Sequence, residues 1–120
     1  MHIDETICAL STPAGKGAIA LIRISGKEAL SVCGSVITLK GKKEKLTEQP
    51  GNSIHLGLIL NNSEPIDEVL ISVFRNPHSY TGEDLVEISC HGSVYIQQKI
   101  LEALISAGAR QDISTRSSPV

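Results

Sequence analysis

The sequence contains few aromatic residues and few cysteines. It has no tryptophan, one phenylalanine and two tyrosines among 120 residues, so aromatic platforms on which single-stranded nucleic acid could stack are nearly absent. The three cysteines, Cys8, Cys33 and Cys90, are odd in number and include no C-x-x-C pair. This pattern argues against a disulfide framework and against a thiolate metal site. We therefore expect a reducing environment and no bound metal.

Charge and hydrophobic runs exclude further classes of protein. The formal net charge of -2 provides no basic surface that would neutralise many phosphates, so extensive direct binding of nucleic acid is disfavoured. No stretch approaches the ~20 apolar residues of a membrane-spanning helix, and the first residues lack a signal-peptide pattern. With 41% hydrophobic residues in the chain, we expect one compact, cytoplasmic domain that contacts no membrane.

The hydrophobic pattern predicts strands and helices in an order that is typical of the α+β class. Apolar runs predict strands over residues 5–11, 18–24, 53–60, 69–74 and 85–90. An S-x-x-E capping box, Ser25 to Glu28, predicts the start of a first helix. A helical stripe from about Val94 to Ala107, before Gly108, predicts a second. We expect a mixed or antiparallel β-sheet with two helices packed against it.

Local composition adds three expectations to this outline. The run from Ala18 to Ile24 is almost entirely apolar, which is typical of a strand buried on both faces. Residues 61–65 are rich in turn formers and separate two strands, so they predict an antiparallel hairpin. The polar run over residues 40–52 predicts a solvated loop.

Two motifs resemble a dinucleotide-binding site and a catalytic pair, but each lacks the structural context that such a site needs. Gly15, Gly17 and Ala20 satisfy G-x-G-x-x-A, yet a strand follows where a dinucleotide site needs a helix that faces the pyrophosphate. Cys90 and His91 are adjacent on a strand, so their side chains point to opposite faces and cannot readily form a catalytic pair. We predict no nucleotide site and no catalytic residue in this chain.

Two charged residues stand alone in apolar strand sequence. Arg23 lies within Leu-Ile-Arg-Ile, and Glu87 lies within Leu-Val-Glu-Ile. Because burial of an unpaired ion costs several kcal/mol, each must find an opposite charge, a polar ligand or water. One interpretation is that they pair with each other or reach solvent. The other is that they form the polar anchors of an apolar ligand pocket.

Several motifs taken together resemble a known family. They are, in order, residues 4–7 (DETI), residues 12–19 (TPAGKGAI), residues 22–26 (IRISG), residues 80–84 (YTGED), and Glu87 followed by His91-Gly92. This arrangement, from about Asp4 to Arg110, resembles the amino-terminal domain of the MnmE/TrmE family of tRNA-modifying GTPases.

The resemblance implies a fold, ligands and partners. The amino-terminal domain of the family resembles the tetrahydrofolate-binding domain of the glycine-cleavage T-protein group, and it forms a homodimer with the folate near the interface. The implied cofactor is 5-formyltetrahydrofolate or a related one-carbon folate. Full-length members modify the wobble uridine of certain tRNAs to carboxymethylaminomethyluridine-type products. They act with the flavoprotein MnmG/GidA, and their GTPase domain uses GTP, Mg²⁺ and K⁺.

The resemblance also assigns two folate-binding residues. The arginine of the family's I-R-[IV]-S-G strand corresponds to Arg23, and the glutamate after T-G-E-D corresponds to Glu87. A carboxylate can accept both the ring N–H and the amino group of a pterin, which is the role we expect for Glu87. Arg23 could donate to a carbonyl, to the formyl oxygen or to a carboxylate of the folate, or it could neutralise Glu87 when no ligand is bound.

The end of the chain departs from the family pattern. Beyond Arg110 the family continues with a P-G-E-F-T-type segment and a lysine of the folate site, whereas residues 111–120 read QDISTRSSPV. We expect residues 1–110 to form the folate-binding and dimerisation domain, residues 111–120 to be a disordered tail, and the chain alone not to be catalytic because it lacks the GTPase domain. The alternative function is a purely architectural module for dimerisation and partner docking, without folate.

Overall fold

The computed structural model describes residues 6–11, 17–76 and 83–111. Within these ranges the chain forms a seven-stranded sheet and two α-helices, and this confirms the predicted α+β class. The elements are β1 (Ile7–Leu10), β2 (Gly17–Ser25), α1 (Ala29–Val36), β3 (Ile37–Leu39), β4 (Ser53–Asn61), β5 (Glu64–Phe74), β6 (Leu85–Gly92), α2 (Val94–Ser106) and β7 (Arg110–Gln111). A short 3₁₀ helix, Leu46–Glu48, lies in the segment between β3 and β4.

The strand order places β2 and β6 near the centre of the sheet. The order is β3-β4-β5-β6-β2-β1-β7, and neighbouring strands are antiparallel except for β1 and β7, which are parallel. Central strands are paired on both sides, so a side chain on β2 or β6 has a well-defined position. These two strands carry Arg23 and Glu87.

Both helices pack against the same face of the sheet. Successive side chains of a strand point to opposite faces, and those that point toward the helices are buried. This core includes Ala20, Ile22 and Ile24 of β2, Val69, Ile71 and Val73 of β5, Val86, Ile88 and Cys90 of β6, and Val32, Cys33, Ile100 and Leu104 of the helices. We call the opposite face the open sheet face; it carries Ile19, Leu21, Arg23, Ile54, Leu56, Leu70, Ser72, Glu87, Ser89 and His91.

The prediction that Ala18 to Ile24 is buried on both faces is wrong. Ile22 and Ile24 are fully buried, but Ile19 is 69% exposed. The described helices cover only one side of the sheet, so the other side of β2 remains accessible to solvent. The apolar sequence of β2 therefore belongs to a strand that exposes some of its hydrophobic side chains. Exposed apolar patches are often binding surfaces.

The first helix begins later than the capping box predicted. Ser25 is the last residue of β2, and Gly26 makes the turn with a φ of 132°, a conformation that favours glycine. Helix α1 starts at Ala29, and Glu28 provides no side-chain cap. Instead, the backbone N–H of Glu28 donates to Thr6 Oγ1 over 2.9 Å, so a residue from the segment before β1 satisfies the end of the helix.

The second helix follows its prediction closely, and the hairpin is confirmed, although β5 begins at Glu64 rather than at the predicted Val69. Helix α2 starts after Ser93, whose Oγ accepts a hydrogen bond from the backbone N–H of Ile96, and Gly108 follows its end with a φ of 122°. Strands β4 and β5 form an antiparallel hairpin closed by Asn62 and Ser63, both with positive φ, as two-residue hairpin turns require. No helix among the described residues is long and apolar enough to cross a membrane.

Candidate ligand site on the open sheet face

Arg23 and Glu87 lie side by side on the open sheet face. They are paired positions of β2 and β6, so the backbone register sets their side chains next to each other. Arg23 Nη2 donates to Glu87 Oε2 over 2.8 Å, and Arg23 Nε donates to the same oxygen over 3.1 Å. Of the two outcomes left open by the sequence, the structure shows the one in which the charges pair with each other.

The pair is accessible from solvent. The side chain of Arg23 is 37% exposed and that of Glu87 is 20% exposed. An ion pair with this exposure contributes little to stability, on the order of 1 kcal/mol or less. Such a pair also remains available to a ligand, since a polar guest can replace one or both of its hydrogen bonds. The neighbouring strands place only a small and a hydroxyl side chain beside it, Ala9 and Ser72.

Exposed apolar side chains lie on the same sheet face as the ion pair. Leu56 and Leu70 are 43% and 48% exposed and face each other across β4 and β5, while Ile19 and Ile54 are each 69% exposed. A depression of about 200 Å³ lies among Ile19, Leu56, Leu70, Ser89 and His91, and it is not lined by Arg23 or Glu87. Apolar walls with a few polar anchors are typical of small-molecule sites.

A second polar pair, which the sequence analysis did not single out, lies at the end of β6. Nδ1 of His91 is 2.7 Å from Asp67 Oδ1, and the backbone N–H of His91 donates to Asp67 Oδ2 over 2.9 Å. Asp67 is only 9% exposed, whereas His91 is 73% exposed. In the sequence, the only indication of this contact was the histidine at the end of β6. No motif spacing links His91 to an aspartate 24 residues away.

The three cysteines are buried in the core. Burial raises the pKa of the thiols of Cys8 and Cys90 to about 11. Burial, together with the nearby Cys8, raises the pKa of Cys33 even further. Near neutral pH these groups are protonated thiols, which are weak nucleophiles, so the description of Cys90 as a small core residue fits the structure. Among the described residues, no group of histidines, cysteines and carboxylates could hold a metal ion.

Comparison with known proteins identifies the family. The family model described as "GTP-binding protein TrmE N-terminus" matches residues 6–113. The chain belongs to this family. The match confirms the resemblance read from the motifs, and it includes both strands that carry Arg23 and Glu87.

Relatives of this TrmE N-terminal domain are considerably longer proteins. The tRNA modification GTPase MnmE of Flavobacterium johnsoniae is 55% identical over 107 residues, which are 89% of this chain and 23% of that protein. The protein of the same name from Christiangramia forsetii is 52% identical over 110 residues, 92% of this chain and 23% of that protein. The one from Lachnoclostridium phytofermentans is 41% identical over 106 residues. The chain thus corresponds to the amino-terminal domain and spans about a quarter of the length of these curated relatives.

Proposed function

We propose that this TrmE N-terminal domain binds 5-formyltetrahydrofolate, or a related one-carbon folate, at Arg23 and Glu87. The observation that carries this proposal is the solvent-accessible ion pair on a sheet face that also exposes several apolar side chains. A folate combines a flat, donor-rich pterin with an apolar ring. The residues present fit such a ligand, because a carboxylate, a guanidinium and several leucines and isoleucines lie on one surface.

Glu87 is the residue that recognises the pterin in this proposal. The pterin presents a ring N–H and an adjacent amino group, and a carboxylate accepts from both at once. Arg23 then has two tasks. It pairs with Glu87 when no folate is bound, which the 2.8 Å contact between the two side chains supports, and its planar group can donate to an oxygen of the folate afterwards.

Homodimer formation belongs to the same proposal. Ile19, Ile54, Leu56 and Leu70 expose apolar surface on the open sheet face, and apolar surface of this kind is stabilised when a second protein covers it. A second copy of the domain is the partner we propose. The folate would then lie between two open sheet faces, shielded from water.

The role of the domain in a longer protein follows from its relatives. They are called tRNA modification GTPases, so we propose that the domain supplies the one-carbon folate for modification of a wobble uridine in tRNA. Hydrolysis of GTP with Mg²⁺ and K⁺, binding of tRNA and docking of the flavoprotein MnmG/GidA are functions that we assign to the full-length protein. The domain alone is not expected to be catalytic.

Calorimetric titration with 5-formyltetrahydrofolate tests the folate proposal. We expect saturable binding to the wild-type protein and a loss of affinity of about tenfold or more in Glu87→Gln, because a charged acceptor for two donors is removed. Charge reversal in Glu87→Lys should abolish binding without unfolding the protein. Glu102→Gln, which removes a carboxylate paired with Lys99 on α2, is the matched control and should bind normally. Equal affinity of Glu87→Gln and wild type would refute the assignment.

The alternative is an architectural module in which Arg23 and Glu87 form a structural ion pair only. The direct contact between the two side chains favours this alternative. The two functions differ in one respect that the same titration measures. An architectural module dimerises without saturable folate binding, and its Glu87→Gln variant changes in stability alone.

A further inference from the structure

The segment that connects β3 to β4 is rich in lysine. From Lys40 to Glu48 it contains four lysines and two glutamates, and we call residues 40–49 the lysine segment. Lys40 forms an ion pair with Glu68 of β5, whereas the other lysines lie further along the segment and are exposed. Because the whole chain has a formal net charge of -2, positive charge is concentrated here and the rest of the chain is more acidic.

The lysine segment is anchored to the fold more firmly than the predicted solvated loop implies. Leu46 is only 1% exposed and Gln49 only 5%. The Glu48 carboxylate accepts a hydrogen bond from the backbone N–H of Lys45 over 2.8 Å, and Gln49 Nε2 donates to Lys45 O over 3.0 Å. These contacts hold the backbone in place, so the lysine side chains extend from a fixed position.

Arg75, which follows β5, joins the lysine segment. Its Nε donates to Gln49 O over 2.8 Å, and its Nη2 donates to Gln49 O over 2.6 Å and to Thr47 O over 2.8 Å. Lys42 Nζ donates to Gln49 Oε1 over 3.2 Å. A guanidinium and an ammonium group therefore lie around one neutral glutamine. Carbonyl and amide oxygens satisfy hydrogen bonds of both groups without cancelling either charge.

The positive charges of this surface are only partly compensated. Within the part of the chain that the structure describes, four cations form no ion pair: Lys42, Lys43, Lys45 and Arg75. The lysine segment itself provides two carboxylates, Glu44 and Glu48, so cations remain in excess. Burial lowers the pKa of the nearby His55, and the charge of Lys42 lowers it further. The surface thus favours an anionic partner.

We propose that the lysine segment and Arg75 bind the phosphate backbone of an RNA. This inference rests on the proposed role of the domain in tRNA modification, and it adds a local contact to the tRNA binding assigned to the full-length protein. Lysine and arginine side chains both form charge-assisted hydrogen bonds with phosphate. Contacts with phosphates position an RNA without reading its sequence, so they need no aromatic side chains. A few such contacts also agree with a chain whose net charge disfavours extensive binding.

Two double variants with the same net charge test this inference. Lys42→Gln/Lys43→Gln removes two positive charges from the lysine segment, and Lys27→Gln/Lys99→Gln removes one from the turn before α1 and one from α2. Fluorescence anisotropy measures the binding of labelled tRNA to each protein at a series of salt concentrations. We expect the first variant to lose about tenfold in affinity at low salt, and its plot of log affinity against log salt to become shallower by about 1–2. The second variant should bind like wild type, and so should Lys42→Arg/Lys43→Arg, which keeps both charges.

Other outcomes would overturn the RNA contact. Equal losses in the two glutamine variants would show an effect of net charge alone, and absence of saturable tRNA binding to wild type would refute the contact directly. Poly-L-glutamate, titrated in parallel, should bind more weakly than tRNA; equal or tighter binding would indicate a surface for an acidic protein instead.

The folate titration described above separates this inference from the proposed function. A wild-type protein that binds folate but not tRNA keeps the folate site and loses the RNA contact. One that binds tRNA through the lysine segment but does not bind folate supports the RNA contact and refutes the folate site.

Discussion

At the scale of single residues, the ion pair of Arg23 and Glu87 contributes little to stability. A partly exposed ion pair contributes on the order of 1 kcal/mol or less, which an apolar pair at the same positions could match. The folate proposal gives this pair, on a solvent-accessible sheet face, a role as donor and acceptor for a ligand.

The sequence singled out Arg23 and Glu87 as candidate site residues, but it did not predict the contact between Asp67 and His91. Arg23 and Glu87 could be singled out because each interrupts an apolar run, and a charge in such a place needs an explanation. Asp67 and His91 could not be connected, because Asp67 lies in an ordinary polar segment. Their contact lies beyond the last paired residues of β5 and β6, Leu70 and Ser89, so it depends on how the whole sheet is assembled.

The burial of His55 predicts that the stability of the fold depends on pH. It is 8% exposed, its Nε2 lies 2.8 Å from Ser53 Oγ, and burial, with a smaller effect of Lys42, lowers its pKa below the ordinary 6.5. Below about pH 6.5 the unfolded chain binds a proton that the folded chain does not, so the free energy of unfolding falls as pH falls. One such proton changes it by up to about 1.4 kcal/mol per pH unit.

Urea denaturation as a function of pH measures this effect. His55→Gln removes the titrating group, so its free energy of unfolding should depend less steeply on pH than that of wild type below about pH 6.5. Parallel curves for the two proteins would contradict the account of His55 as a buried neutral imidazole.

At the scale of elements, the long and strongly patterned segments were predictable and the short ones were not. Helix α2 and the β4–β5 hairpin carry their own signals, namely Ser93, Gly108 and the Asn62-Ser63 turn. Strands β3 and β7 have only three and two residues, too few for a pattern. They exist because β4 and β1 offer them hydrogen-bonding partners, which is a tertiary effect.

The start of α1, which was predicted wrongly, also depends on tertiary contacts. Ser25 and Glu28 match a capping box in sequence, but Ser25 is paired with Leu85 in the sheet. Pairing in a central strand took precedence over a local capping preference that is worth about 1 kcal/mol. Thr6 supplies the missing acceptor from outside the helix, and no local pattern could have predicted this contact.

The close packing of β3 and β5 around Gly57 of β4 predicts that an added side chain there destabilises the fold. A Cβ at this position would lie 2.8 Å from Ile71 Cδ1 and 3.0 Å from both Ile37 Cγ2 and Thr38 O. Two of these neighbours belong to β3 and its backbone, so we expect the edge strand to be displaced. Gly57→Ala should lower the free energy of unfolding by about 1–3 kcal/mol, the usual cost of overpacking.

Chemical denaturation of Gly57→Ala and of Gly34→Ala provides the comparison. Gly34 lies in helix α1, where the nearest atom to an added Cβ is the Thr47 methyl at 3.3 Å, the end of a side chain that can shift. Gly34→Ala should therefore change stability much less. Equal stability of Gly57→Ala and wild type would show that β3 does not pack against Gly57 as described.

At the scale of the whole molecule, the two faces of the sheet differ in composition. The helix-covered face holds the buried core, and the open sheet face holds the ion pair, the oriented histidine and the exposed apolar residues. In the proposed dimer, the open sheet face would hold a ligand shared between two subunits. The fold thus presents its candidate site on a rigid sheet.

The dimer prediction can be tested with two matched variants. Leu56 on the open sheet face and Val94 on α2 are both 43% exposed. Leu56→Lys should convert the dimer to a monomer in sedimentation velocity, because a charge would be buried at the interface. Val94→Lys should sediment like wild type. Dissociation of the Val94 variant alone would place the interface on the helical side instead.

The most direct measurement of the central claim is a crystal structure of the protein grown with 5-formyltetrahydrofolate. We predict the pterin nitrogens within hydrogen-bond distance of the Glu87 carboxylate, about 2.7–3.2 Å, with the ligand lying on the open sheet face. A folate bound elsewhere, or crystals in which Arg23 and Glu87 keep their mutual contact with no ligand beside them, would contradict the account.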